Sequence, residues 1–354
     1  MNWVIRRARP EQVREFSLLL LIAVAIFIFG SMISNYYSAR TFERIAAGVA
    51  IMVVVGLGQT LVMLTRNIDV SVGSIVGFTA YYTGTLVVAH PDLSPFVVVL
   101  AAVAQGAVMG AINGALVAWG GVPSIIVTLG TLAIYRGILV QFSAAQSVTV
   151  DRLPHWLFNL PRSDLLTIGG LGIPVMVALA IGAVVLFQLA TKYLNAGRRL
   201  YALGSNPDAA RLIGIPAGRI LFMTFVLSGM LSGLGGFMTI ARFGNITVSA
   251  GTGLELQVIA AVVVGGVSIL GGSGSAIGAM LGATLIGTLE QSLLRLQINE
   301  FWRDAILGLL ILVAVGSDAL ILNHLRALWS RSELKETSDV PPTATLIDGV
   351  EVRQ

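Results

Sequence analysis

The sequence has no cysteine, only two lysines and three histidines among 354 residues, and charge on just 11% of its side chains. Without cysteine there can be no disulfide framework, thiolate metal site or cysteine nucleophile. Ordinary soluble domains carry charge on about 25% of residues, so a water-soluble fold is excluded. In agreement, 56% of the residues are hydrophobic and mean hydropathy is +0.87. Neither Lys192 nor Lys335 follows a glycine run, which removes a phosphate-binding P-loop and with it ATP hydrolysis by the chain alone. His90, His155 and His324 lack the HExxH spacing, so no metal site is assigned, and no catalytic residue either. The run Gly272-Ser273-Gly274-Ser275-Ala276-Ile277-Gly278 has one residue too many for a dinucleotide loop and lies between apolar segments, so no cofactor is expected. Eleven prolines and no Gly-X-Y period exclude collagen and general disorder. The net charge is +4, but Lys and Arg sit at segment ends without interleaved aromatics, which argues against nucleic acid.

What remains is a series of long apolar runs. A bilayer core of about 30 Å needs roughly 20 apolar residues per helix, and the expected fold is an all-α, polytopic membrane bundle of about ten segments. They are placed at 17–34, 43–65, 70–89, 95–118, 123–142, 168–192, 219–241, 254–270, 273–296 and 303–325. The eighth is short and abuts the ninth through Gly271-Gly272, so it is expected to be tilted or half-spanning. Arg6, Arg7, Arg9 and Arg14 precede the first run like the basic end of a signal peptide. That run is long enough to span and no small-residue cleavage site follows, so it is kept as a helix after a tail at 1–16. Both termini are expected in the cytoplasm, an orientation that puts 14 of the 22 Lys and Arg on that side. Residues 326–354 lack apolar periodicity and read as a disordered cytoplasmic tail.

Small residues mark where helices touch. Gly106, Gly110 and Gly114 recur at every fourth position, as do Gly274, Gly278 and Gly282, and Gly73/Gly77 and Gly229/Gly233 form pairs. The carboxylates sit near segment ends. Asp69, with Ser71 beside it, is expected to cap the third segment, with a role in shaping the pathway as the alternative. Thr252 and Glu255 have the spacing of a capping box ahead of the eighth. No midplane pair is evident, which weighs against ion coupling.

The connection 193–218 is the most informative loop. Asn206 is an expected N-cap, Pro207 takes the first helical position, Asp208 complements the dipole and Gly214 can adopt the left-handed C′ conformation. A two-turn helix follows, with Ala209, Ala210, Leu212 and Ile213 as its outward apolar face. Such a face either lies on lipid or docks into a groove of a soluble partner.

Across residues 45–320 the chain resembles the permease subunits of bacterial ABC importers for sugars, in the ribose-type branch. The resemblance rests on Gly58 to Ser74, on Asn113-Gly114, Val122-Pro123, Val127 to Thr131 and Arg136-Gly137, on the loop 198–215, and on Gly253-Leu254-Glu255 through Leu270-Gly271-Gly272-Ser273-Gly274. Within that branch Thr60 to Ile75 is most similar to the permeases of autoinducer-2 importers, with Arg66-Asn67 where most sugar permeases have small residues. The resemblance implies a multi-pass, non-enzymatic subunit of the bacterial inner membrane that pairs with a second permease, identical or not. It also implies a periplasmic binding protein that delivers a small polyhydroxylated ligand, and an ABC ATP-binding subunit that receives the coupling helix, Asn206, Asp208, Ala209, Ala210, Leu212, Ile213 and Gly214. Gln59, Asn67, Ser71, Asn113, Thr128 and Thr131 become candidates to face the translocation path, with hydrogen bonding between helices as the alternative for each. The ligand is expected to be autoinducer-2, with rhamnose, ribose or another monosaccharide as the alternative. An ion-coupled secondary transporter is the rival from a different class.

Overall fold

The computed structural model describes residues 10–168 and 171–299 and a few positions from 302 to 312. Most of the tenth expected segment, residues 1–9 of the tail expected at 1–16, and the tail expected at 326–354 lie outside the described residues. Apolar runs fold where expected into helices α1 (Pro10–Met32), α2 (Ala39–Leu64), α3 (Val72–Ala89), α4 (Pro95–Ala118) and α5 (Ser124–Ser143). After a short α6 (His155–Asn159) the chain forms a hairpin of β1 (Asp164–Ile168) and β2 (Leu171–Pro174). It continues through α7 (Val175–Tyr193), α8 (Asn195–Ser205), α9 (Pro207–Leu212), α10 (Ala217–Phe243), α11 (Leu254–Val264) and α12 (Ala276–Arg295). Eight of these helices, α1 to α5, α7, α10 and α12, are long and apolar enough to cross a membrane.

Three boundaries differ from the sequence expectation, each for a local reason. The sixth segment starts at Val175 rather than 168, because Ile168 pairs with Leu171 in an antiparallel hairpin that Pro174 ends. Helix α1 begins at Pro10, ahead of the apolar run and inside the stretch expected as a tail. The eighth segment is a helix of 11 residues, roughly 16 Å at about 1.5 Å per residue, half of what a bilayer core needs.

Helix α10 is the hub, packed against α2, α3 and α4. The glycine rows on α4 and α10 are the two faces of one contact. A Cβ on Gly106 would lie 2.1 Å from the Gly229 carbonyl oxygen, and one on Gly229 would lie 2.2 Å from that of Gly106. The other two glycine signatures flank the half-helix. Gly73 and Gly77 of α3 abut Ala250 and Gly251 just before α11, and Gly278 and Gly282 of α12 abut Gly265 and Ala261 at its other end. Small residues thus seat a short helix between two long ones, where van der Waals contact is the main attraction in an apolar surround.

The chain reaches α11 by doubling back. It leaves α10 at Gly244 (φ +63°), exchanges two backbone hydrogen bonds between Ile246 and Val148, and then packs Ala250 and Gly251 against the first turns of α3. The N-termini of α3 and α11 therefore meet, and Val72 to Gly77 are all buried there.

Candidate coupling helix and buried polar centre

The connection between α7 and α10 folds as two consecutive helices, where one was expected. Helix α8 buries Gly197, Leu200, Leu203 and Gly204 on one side, a spacing of three and four that sequence reasoning passed over in a stretch rich in arginine. It stops because Asn206 leaves helical geometry (φ −151°, ψ 96°) and Pro207 follows. Asn206 then serves as the N-cap of α9, its side-chain oxygen accepting from the Ala209 N–H at 3.0 Å.

At the other end Gly214 takes φ +78°. The Gly214 N–H donates to the Arg211 carbonyl and the Ile215 N–H to that of Ala210, both at 3.0 Å, which is the Schellman pattern. Asp208 and Arg211 lie 3.8 Å apart, but both are exposed and the pair contributes little. Replacing Asn206 with Ala removes one cap bond and should cost α9 about 1 kcal/mol. Amide exchange within 207–212 should then quicken roughly fivefold, as hydrogen–deuterium exchange would record.

The apolar face is narrower than expected. Leu212 is 89% and Ile213 75% exposed, and Ala209 is exposed, whereas Ala210 is 2% exposed. Ala210 therefore lies on the edge of α9 turned toward the protein, not on its outward face.

Three of the candidate path residues, Gln59, Ser71 and Asn113, meet in a buried centre around Asp69. Gln59, Ser71, Asn113 and Thr128 are each 0% exposed and Thr131 is 5% exposed. Asp69 Oδ1 accepts from the Ser71 N–H at 2.9 Å and from the Ser71 hydroxyl at 2.6 Å. The Ser71 Oγ accepts in turn from Asn113 Nδ2 at 2.8 Å, joining α3 to α4. With its amide oriented to suit its neighbours, Gln59 donates to the Asp69 carbonyl at 3.0 Å and accepts from the Asp69 N–H at 3.3 Å. Tyr135 of α5 donates to the Met109 carbonyl at 2.8 Å beside them.

Thr128 donates to the Ser124 carbonyl at 2.8 Å and Thr131 to that of Thr128 at 3.4 Å, so both bond mainly within their own helix. Asn67, half-buried, donates to the Thr65 carbonyl at 2.8 Å, within its own turn. Of the six, Ser71 and Asn113 bond between helices and Gln59 bonds the link ahead of α3, whereas Thr128, Thr131 and Asn67 bond chiefly to their own helix or turn. Asp69 does not cap the first turn of α3 as expected: its bonds close the turn ahead of the helix, and its carboxylate is also beside the Ser228 hydroxyl.

Two further residues shape the meeting of α3 and α11. Thr252 does not cap α11. Gly253 adopts φ +83°, a conformation that glycine alone enters without steric cost, and so becomes the N-cap one residue later. Glu255 accepts from the Gly253 N–H at 3.2 Å, while its Oε2 is buried with no hydrogen-bond partner among the described residues. Arg136, which sequence reasoning passed over apart from its place in a motif, donates from Nη1 to the Val248 and Ala250 carbonyls at 3.1 and 2.6 Å and so ties the returning chain to α5. An arginine inside an apolar run, six residues before its expected end at 142, was the available signal.

Comparison with known proteins gives this arrangement a family. Residues 41–315 match the family described as branched-chain amino acid transport system / permease component. The autoinducer 2 import system permease protein LsrC of Shigella flexneri is 36% identical over 330 residues, which are 93% of this chain and 94% of that protein. The protein of the same name from Escherichia coli O157:H7 is 37% identical over 323 residues, 90% of this chain and 92% of its own. That from Salmonella typhimurium is 39% identical over 300 residues, 84% of each. No solved structure matches the chain. A match to the family over most of the length, on a bundle with eight helices able to cross a membrane among the described residues, leaves one conclusion: the chain belongs to this family of transport-system permease components.

Proposed function

We propose that the chain is the membrane-spanning permease subunit of an ATP-driven importer of the bacterial inner membrane, and that its ligand is autoinducer-2. The observation that carries the ligand is the collinear likeness, over 93% of the chain, to a protein named for autoinducer 2 import. The description of the family itself speaks of branched-chain amino acids, so membership alone does not choose the substrate. In this reading a periplasmic binding protein delivers the ligand and a second permease, identical or not, completes the path. An ABC ATP-binding subunit grips α9 and supplies the energy that a chain without a P-loop cannot. The side that carries α8 and α9 is then cytoplasmic, as the placement of 14 of the 22 Lys and Arg favours.

The test is uptake of labelled autoinducer-2, rhamnose and ribose in a strain lacking only this chain, with and without the chain restored. Autoinducer-2 uptake alone should be lost and rescued. Loss for one sugar alone would keep the importer and overturn the ligand. Uptake that survives ATP depletion and collapses with the ion gradient would overturn the ATP-driven reading.

A further inference from the structure

Immediately beside α9 three stretches of backbone come into contact: the end of α2 (Leu64 to Arg66), the end of α8 (Gly204, Ser205) and the turn at Gly271 and Gly272 before α12. A Cβ on Gly204 would lie 1.8 Å from the Leu64 carbonyl oxygen and 2.6 Å from the Gly272 nitrogen. The Gly272 N–H donates to that same Leu64 carbonyl at 3.1 Å. At Gly204, Leu64 and Gly272 backbone meets backbone, so movement of one stretch meets the next directly.

Arg66 is built into this junction. It holds φ +66°, a left-handed conformation rare for a residue with a side chain. Its Nε donates to the Gly204 carbonyl at 2.6 Å and its Nη2 to the Ser205 carbonyl at 2.7 Å. These are carbonyls of the last turn of α8, where a cation suits the helix dipole, and the next residue is Asn206, the N-cap of α9. In the other direction Arg66 opens the link to α3. In that link the Ile68 N–H donates to Ser124 Oγ on α5 at 3.2 Å, and Asp69 holds Ser71 and through it Asn113. One residue thus joins the two: its side chain holds the end of α8, and its backbone opens the short link that leads to the buried polar centre.

We propose that Arg66 is a positioning residue that transmits displacement of α8 and α9 to the polar centre formed by Asp69, Ser71 and Asn113. The role rests on the proposed docking of an ATPase to α9. Two adjacent carbonyls match the guanidinium fork, and the point charge of lysine cannot hold both in one geometry.

The test separates the two readings. In the purified full-length chain, without any ATPase, Asn206→Ala loosens α9. With Arg66 present, amide exchange at 67–75 should rise at least threefold along with that of 207–212. In an Arg66→Met background, which keeps the aliphatic stem, only 207–212 should respond. An equal response at 67–75 in both backgrounds overturns the proposal, whatever becomes of docking. In the complex with its ATPase, Arg66→Met should leave co-purification intact and lower autoinducer-2 transported per ATP hydrolysed at least tenfold, with Arg66→Lys between. An unchanged ratio likewise overturns it, whereas a wild-type chain that captures no ATPase overturns the docking reading alone and leaves the exchange cycle to decide.

Discussion

Replacing Leu212 and Ile213 together with glutamate should abolish association with the ATP-binding subunit and with it all uptake, while the permease inserts and folds normally. Both side chains are exposed in the permease, 89% and 75%, so the charges disturb no internal packing. Burying a Leu or Ile in a partner's groove contributes about 1.5–3 kcal/mol each. Losing two such contacts amounts to roughly 3–6 kcal/mol, a hundredfold or more in affinity. Desolvating two carboxylates would add to the loss. The helix itself should survive, because its N-cap at Asn206 and its Schellman closure at Gly214 are formed by other residues. Co-purification of an ATPase from solubilised membranes, quantified against the wild type, is the measurement. Retained association in the double variant would overturn the docking role of α9. The same substitution at Ala210 would not serve, since that side chain is 2% exposed and a glutamate there would have to break the turn to fit.

Asn206-Pro207 and Gly214 announced α9 because caps act within a few residues, so local sequence is enough to read them. The four-residue spacing of Gly106, Gly110 and Gly114 likewise showed that a neighbour comes close. Which neighbour it was, Gly229 and Gly233 on α10, depends on how helices more than a hundred residues apart pack, and no local pattern encodes that. The hairpin was a different kind of omission. Two apolar runs flanking Gly169-Gly170 carry the signal of a two-residue turn, but inside a long hydrophobic stretch a helix was the stronger prior. Gln59, Ser71 and Asn113 were recognised as polar residues in apolar runs, which is where membrane proteins place function or interhelical hydrogen bonds. Asp69 bonds Gln59 and Ser71 and reaches Asn113 through Ser71, yet by sequence it is a helix cap, because a carboxylate immediately before an expected helix ordinarily is one. Only the packing of α3 against α4 and α5 shows that it holds together a centre with Asn113 and, nearby, Tyr135.

Asp69 therefore carries the second large expectation. Asp69→Ala should lower the yield of folded permease severely, and Asp69→Asn should not. Asp69 Oδ1 is the acceptor for the N–H and the hydroxyl of Ser71, both buried. Removing it leaves two donors unpaired in a region that is 0% exposed at Asp69, Ser71 and Asn113, and each costs about 1–3 kcal/mol. A total of roughly 2–6 kcal/mol is comparable to the whole stability of many proteins. Asparagine presents a carbonyl oxygen where Oδ1 stood and keeps the acceptor, so the turn ahead of α3 and the Asn113 contact should persist. Thermal unfolding in detergent, followed by size-exclusion profile, separates the three chains. Wild-type stability for Asp69→Ala would show that Ser71 finds other partners and that the centre is not held by this carboxylate. A folded Asp69→Asn chain that still binds its ATPase yet transports nothing would instead place the negative charge itself in the transport cycle, because every hydrogen bond that the acceptor makes would have been preserved.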